Sequence, residues 1–149
     1  MRLNGSGTAT LTASTDGLPT GTYSLTADYA GDSNFKSSKS SALSVMLKQA
    51  PTATTLTATP TSVTPPGSVT LTATVKRSAS GATGTPTGSV TFYAGGGDAL
   101  ATVALKNGVA SITASSQPYP AGKYPITAKY LGDRDDVTST SAAVTVTVQ

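Results

Sequence analysis

Two stretches of the chain carry the same alternation of apolar and polar positions. In residues 122–133 (GKYPITAKYLGD) the residues Tyr124, Ile126, Ala128 and Tyr130 fall on alternate positions, and 101 residues earlier GTYSLTADYAGD places Tyr23, Leu25, Ala27 and Tyr29 in the same way. The intervening side chains are mostly polar, which predicts a β-strand with one face on a core and the other in water. The repetition reaches further: residues 1–48 align without a gap onto residues 102–149, with 17 of 48 pairs identical. One full unit preceded by about half of another is the organisation this offset implies.

The same alternation marks the other strands. In the first segment they are expected at residues 7–13, 21–29 and 42–47, separated by STDGLPTG and GDSNFKSSKSS, clusters of the residue types that make turns. After the Lys-Gln-Ala-Pro linker, strands are predicted at 52–58, 68–75 and 88–94, with a break at 60–67 around Pro65-Pro66-Gly67 and a flexible loop before Gly88. Residues 99–105 and 108–114 read as a hairpin across Lys106-Asn107-Gly108, because Asn-Gly supplies the two left-handed positions of a tight hairpin turn. Strands at 122–130 and 142–148 close the unit. No window has a 3.6-residue period, so the fold class is all-β, and seven short strands in about 100 residues fit an immunoglobulin-like sandwich.

Composition sharpens this. Ser and Thr make up 47 of 149 residues, and aromatic side chains are few, with no Trp and only Phe35 and Phe92, so the core has to be thin and built from Val, Leu, Ala and Tyr. The net charge of +3 is spread without a basic run, which excludes a nucleic-acid footprint. No apolar run approaches the ~20 residues of a membrane helix, so no membrane insertion is expected. MRLNGSG lacks the apolar stretch of a signal peptide, so if the protein is exported, its signal is expected outside these residues. The chain has no Cys, His or Glu, which removes thiol chemistry and the commonest general bases together. No catalytic residue, cofactor or enzymatic activity is therefore assigned.

Local motifs agree with the sandwich. Tyr124, and Tyr23 in the first copy, stand where the tyrosine corner of such folds lies, after a Pro-x-Gly turn and two residues before the position of a second cysteine. Ile126 takes that position and Ala73 the position of the first, while Val90 and Phe92 stand in for the core Trp. With TATTLTATP, GSVTLTATV, PTGSVTFY and GxYxxTAxYxGD, the chain resembles the bacterial Ig-like repeats strung in tandem in large exported proteins. The resemblance implies an E, F and G-type half repeat at 1–48, a linker at 49–51 and a complete sandwich at 52–149. It also implies a non-catalytic stalk, spacer or adhesive module at the cell surface, with neighbouring repeats or other copies of the chain as partners. A filament subunit completed by a neighbouring chain is one alternative, and a module binding cell-surface glycans is another.

Three side-chain groups are candidates for more than packing. Asp133, Asp135 and Asp136 in GDRDD could give oxygens to Ca²⁺, but Asp32 recurs alone in the equivalent turn, and an Asx-turn explains a single Asp there. Asp32 and Asp133 are thus expected to be structural, and no metal is assigned. Of the six Tyr, four lie on the core parity of the repeated strand, leaving Tyr93 and Tyr119 as exposed rings for a sugar. An isopeptide crosslink would need a buried Lys, and no Lys falls on a core position. Because nothing in 1–48 supplies strands to cover Leu11, Leu25, Tyr29, Leu43 and Val45, that face is expected to be covered either by sequence upstream of these residues or by another copy.

Overall fold

The computed structural model describes residues 1–15, 17–117 and 119–149. Its strands are β1 (Gly21–Leu25), β2 (Asp28–Tyr29), β3 (Ser38–Lys39), β4 (Leu43–Leu47), β5 (Thr52–Thr59), β6 (Ser62–Val63), β7 (Ser68–Arg77), β8 (Ser89–Ala94), β9 (Asp98–Ala104), β10 (Val109–Ser115), β11 (Gly122–Tyr130), β12 (Ser139–Thr140) and β13 (Val144–Val148). No helix occurs among the described residues, so none is long and apolar enough to cross a membrane.

Residues 52–149 form an Ig-like β-sandwich. One sheet has the order β10-β7-β5 and the other β6-β13-β11-β8-β9, with β12 attached to β11. Alternation drives the packing. Along β7, Val69, Leu71, Ala73 and Val75 point inward while Thr and Ser face out, and Val90, Phe92, Ile126, Ala128, Tyr130, Val146 and Val148 meet them from the second sheet. Ala73 and Ile126 are both buried in this core, so apolar packing occupies the two positions where Ig domains carry cysteines. β5 ends before Pro60, and the chain then crosses to the other sheet, where β6 runs parallel to β13. The Thr147 and Gln149 N–H groups bond to Thr61 O and Val63 O there.

One expectation fails here. Residues 99–105 and 108–114 do not form a hairpin ladder. The Asn-Gly turn itself forms, with Asn107 at φ 52° and Gly108 at φ 74°, and Lys106 and Val109 exchange both backbone bonds. Beyond that one pair the strands part, β9 running along β8 in one sheet and β10 along β7 in the other. A two-residue turn fixes a reversal, but the ladder follows the better partner: Thr91 and Thr102 share a 2.8 Å hydroxyl contact, and Ser111 Oγ donates to Leu71 O at 3.1 Å. Pro125 sits inside β11 without harm. Its carbonyl accepts from Gly95 N–H, so its donorless nitrogen faces that same side, just beyond the β8 ladder, which begins at Ile126.

Among the described residues of 1–48 only two short ladders form, β1 with β4 and β2 with β3. The strand expected at residues 7–13 is absent. Its counterpart β10 is held by β7, and with no such neighbour Leu11 and its flanks have no ladder to join. No described residue of this segment is buried.

Candidate functional site

The repeated strand is closed by the same bonds in both copies. The Tyr23 hydroxyl donates to Pro19 O at 2.6 Å and the Tyr124 hydroxyl to Pro120 O at 2.8 Å. Ala27 N–H donates to Ser40 Oγ at 2.9 Å and Ala128 N–H to Ser141 Oγ at 3.0 Å. In the turn that follows, Asp32 Oδ1 accepts from the N–H groups of Asn34 and Phe35, and Asp133 Oδ1 from those of Asp135 and Asp136. Both carboxyls are thereby held below the usual Asp range. For Asp32 the Asn34 N–H is the largest cause. For Asp133 burial pushes upward but is outweighed by the combined bonds from Thr87, Asp135 and Asp136. Each turn reverses at a left-handed glycine, Gly31 at φ 85° and Gly132 at φ 79°, where an added Cβ would meet a backbone oxygen at 2.8 and 3.0 Å.

Around this shared frame the complete unit adds side chains that residues 1–48 lack. Asp136, 1% exposed, takes Arg77 Nε at 2.7 Å and Nη2 at 3.1 Å, a bidentate pair carried from the end of β7 into the turn, and Arg77 also donates to Thr83 O. Asp133 Oδ2 accepts from Thr87 N–H at 3.0 Å and Thr87 Oγ1 at 2.5 Å. The loop preceding β8, expected to be flexible, is thus tied to the turn at both ends. Of the three acids weighed for Ca²⁺, Asp133 and Asp136 have every carboxylate oxygen engaged by protein donors, and Asp135 is exposed. Among the described residues no group of three or more acidic ligands could hold a metal ion.

Tyr130 is fully buried beside this turn, and among the described residues its hydroxyl has no well-formed hydrogen bond, although it lies close enough to Asp133 to interact with that carboxyl directly. Burial, then the charges of Asp133 and Asp136, keep it protonated far above the usual tyrosine range. In the first copy Tyr29 donates to Asp32 Oδ2 at 2.8 Å. In the second copy Thr87 donates to the equivalent oxygen of Asp133.

The linker is built into the same turn. Ala50 N–H donates to Asp135 O at 2.7 Å, Val137 N–H to Ala50 O at 3.0 Å, Gln49 Nε2 to Asp133 O at 2.8 Å and Thr52 Oγ1 to Val137 O at 2.8 Å. Arg134 reaches across to Gly17 O at 2.5 Å. A crevice of about 280 Å³ lies between the two parts, with Leu18, Leu47 and Lys48 on one wall and Arg77, Ala82 and Asp135 on the other.

The structure does not bring the two candidate sugar rings together. Tyr119 packs edge-on against Tyr124, 5.1 Å between centroids, and adjoins the core, whereas Tyr93 alternates with buried Phe92 on the outer face of β8. Every Lys is exposed, so the chain offers none for a buried crosslink.

The family model of bacterial Ig-like domains of group 3 matches residues 1–48 and, a second time, residues 56–149. The chain belongs to this family. Comparisons with curated proteins and with solved structures gave no match. Within this Ig-like chain the residues that sequence reasoning missed are Arg77 and Thr87. A signal for Arg77 existed in the alignment of the two copies, where Phe35 lies opposite Asp136. A carboxylate standing in a turn where the other copy has an aromatic calls for a cation nearby, and Arg77 closes β7, a strand absent from the first copy that ends beside this turn.

Proposed function

We propose that this Ig-like chain is a non-catalytic structural module of an exported bacterial surface protein, a spacer in which residues 52–149 are a complete repeat and residues 1–48 the E, F and G-type half of the repeat before it. The observation that carries the reading is the linker: Gln49 and Ala50 are zipped to the Asp133–Val137 turn, so the two copies are joined by backbone bonds rather than by a loose tether. A spacer needs that stiffness, and nothing in its task needs a general base or a cofactor. Small-angle scattering of the full chain tests it. A spacer gives one narrow distribution of particle lengths, which broadens in Ala50→Pro, where the N–H to Asp135 O is removed. A wild-type profile already fitted by two freely jointed bodies would overturn the reading.

A second reading, a subunit completed by strands from elsewhere, is favoured by the uncovered β1–β4 face, on which Leu25, Leu43 and Val45 are exposed. A glycan-binding role loses its motive once Tyr93 and Tyr119 lie apart.

A further inference from the structure

We propose that residues 78–88 form a strap with two resting positions and that Asp133 is the catch both positions use: with the strap docked, Thr87 holds Asp133 Oδ2, and with the strap released, Tyr130 takes the same oxygen. Release withdraws one wall of the crevice between the two copies. The proposal does not depend on reading the chain as a spacer, because both donors and their acceptor lie within the complete unit.

The strap is held at its ends and by little between them. Ser78 N–H donates to Pro51 O at 2.9 Å, and Gly88 O accepts from Leu105 N–H at 2.9 Å. Residues 78–85 are exposed, and among the described residues the backbone from 79 to 86 takes one bond from outside the strap, Arg77 to Thr83 O. A cavity of about 320 Å³ separates the strap from the end of β7, with Thr74, Lys76 and Arg77 on one side and Ala82, Gly84 and Pro86 on the other. A segment bridging a cavity on so few bonds belongs to the part of a fold that opens most easily. Its last residue sits directly on the turn: Gly88, at φ 79°, lies so near Gly132 that an added Cβ would come within 2.8 Å of the Gly132 oxygen. That close approach is what sets Thr87 over Asp133.

The catch has one acceptor and two donors. Thr87 N–H and Oγ1 reach Asp133 Oδ2 at 3.0 and 2.5 Å, while the Tyr130 hydroxyl, fully buried and near the same carboxyl, has no well-formed hydrogen bond. The other state is displayed by the first copy. The strap lies outside the part of the unit that residues 1–48 repeat, and there Tyr29 donates to Asp32 Oδ2 at 2.8 Å while Asp32 Oδ1 keeps its two turn amides. Undocking the strap therefore exchanges one donor to the carboxylate for another, where otherwise a buried hydroxyl and a carboxylate oxygen would both go unmet, and the exchange lowers the cost of release. The docked strap is also part of the junction, since Gly81, Ala82 and Thr83 line the crevice of about 280 Å³ together with Thr15, Leu18 and Thr20 of the first copy. With the strap released, the two copies gain freedom to pivot.

Amide exchange in the full chain tests the catch, with the Thr87 N–H as reporter because it donates to Asp133 only when the strap is docked. Tyr130→Phe removes the competing donor and leaves the ring in the core, so the Thr87 amide is expected to exchange about five- to ten-fold more slowly, the worth of one hydrogen bond. Thr87→Val, at an exposed position, weakens the docked state. In it the amide at position 87 should exchange faster by a similar factor, the Cζ carbon resonance of Tyr130 should move toward that of Tyr29, and small-angle scattering should show a broader distribution of lengths than the wild type. A tyrosine that only fills space predicts that Tyr130→Phe leaves exchange at Thr87 unchanged or speeds it, and either result overturns the proposal. A Tyr130 resonance that stays in place in Thr87→Val overturns it as well, and an unchanged scattering profile beside a freely exchanging amide at 87 overturns the role of the strap at the junction. A wild type that scatters as two freely jointed bodies would sink the spacer reading and leave the Thr87 exchange rates to decide the catch.

Discussion

Residues 21–29, an expected single strand that the structure divides into β1 and β2, and residues 122–130, the unbroken β11, share their internal bonding and differ in what lies against them. Tyrosine to proline carbonyl, alanine N–H to serine hydroxyl, and aspartate to two turn amides recur at the same positions within a few tenths of an ångström. Yet Ile126 is 5% exposed and its counterpart Leu25 is 52% exposed. Hydrogen bonds between residues a few positions apart are set by the local sequence, and burial is set by whether a second sheet exists. The comparison separates two contributions usually seen together, and it predicts that matched substitutions in the two copies have unequal effects.

The largest inequality belongs to the core position. Ile126→Asp buries a carboxylate without a partner among Leu71, Val146 and their neighbours, a loss of several kcal/mol, comparable with the total stability of a small domain. The unit is expected to be unfolded at room temperature by circular dichroism. Leu25→Asp places the same charge in water, and its melting curve should follow that of the wild type within about 0.5 kcal/mol. Equal damage from both would show that the first face is covered in solution.

Next comes the Arg77–Asp136 pair, which only the complete unit contains. Asp136→Ala leaves the guanidinium without its bidentate partner, and because Arg77 keeps 19% of its side chain exposed the loss is that of charge-assisted hydrogen bonds, about 1.5 to 3 kcal/mol. Asp136→Phe, which copies the first repeat, should do no better, because Phe35 lies exposed in a turn that no arginine approaches. Urea denaturation measures both. A variant as stable as the parent would reduce the pair to a surface contact.

The tyrosine corner gives a smaller contrast. Tyr124→Phe removes the donor to Pro120 O and should lower stability by about 1 kcal/mol, roughly 4 to 8 °C in melting temperature for a domain of this size. Tyr23→Phe removes the same bond where little stability depends on it, and the main transition should not move.

Such contrasts also explain what could be read in advance. The alternation in β7, β11 and β13 named the core faces, because residues two apart must share a side of a strand, and Tyr124, Tyr23, Asp32 and Asp133 could be placed from motifs that close on themselves within five residues. The parting of β9 and β10 could not, since the Asn-Gly turn is the same whether or not a ladder follows it. Nor could Arg77 with Asp136 or Thr87 with Asp133, whose partners lie 59 and 46 positions apart and meet only once the sandwich has formed. The first-segment strand at 7–13 failed for the converse reason: its sequence is adequate, and what it lacks is a neighbour.

The smallest effect tests the turns against each other through pH. Asp133 and Asp32 both have folded pKa values lowered from 3.8. A carboxyl whose folded value lies below its unfolded one stabilises the fold above the unfolded value, and that contribution drains away as pH falls from about 4 through the folded value. For Asp133 the amides of Asp135 and Asp136 and both groups of Thr87 favour the ionised form, and the turn they bind carries the linker and the Arg77 pair, so the whole unit shares the loss. For Asp32 the turn is exposed and bears no further structure, so its protonation releases only Asn34, Phe35 and Tyr29. Melting temperature followed from pH 6 to pH 2 should therefore fall less steeply in Asp133→Asn than in the parent, from a lower starting point, while Asp32→Asn follows the parent throughout. An acid limb unchanged by Asp133→Asn would mean that the turn amides bind the carboxyl and the carboxylate equally well, and that the shared geometry of the two copies carries no shared electrostatics.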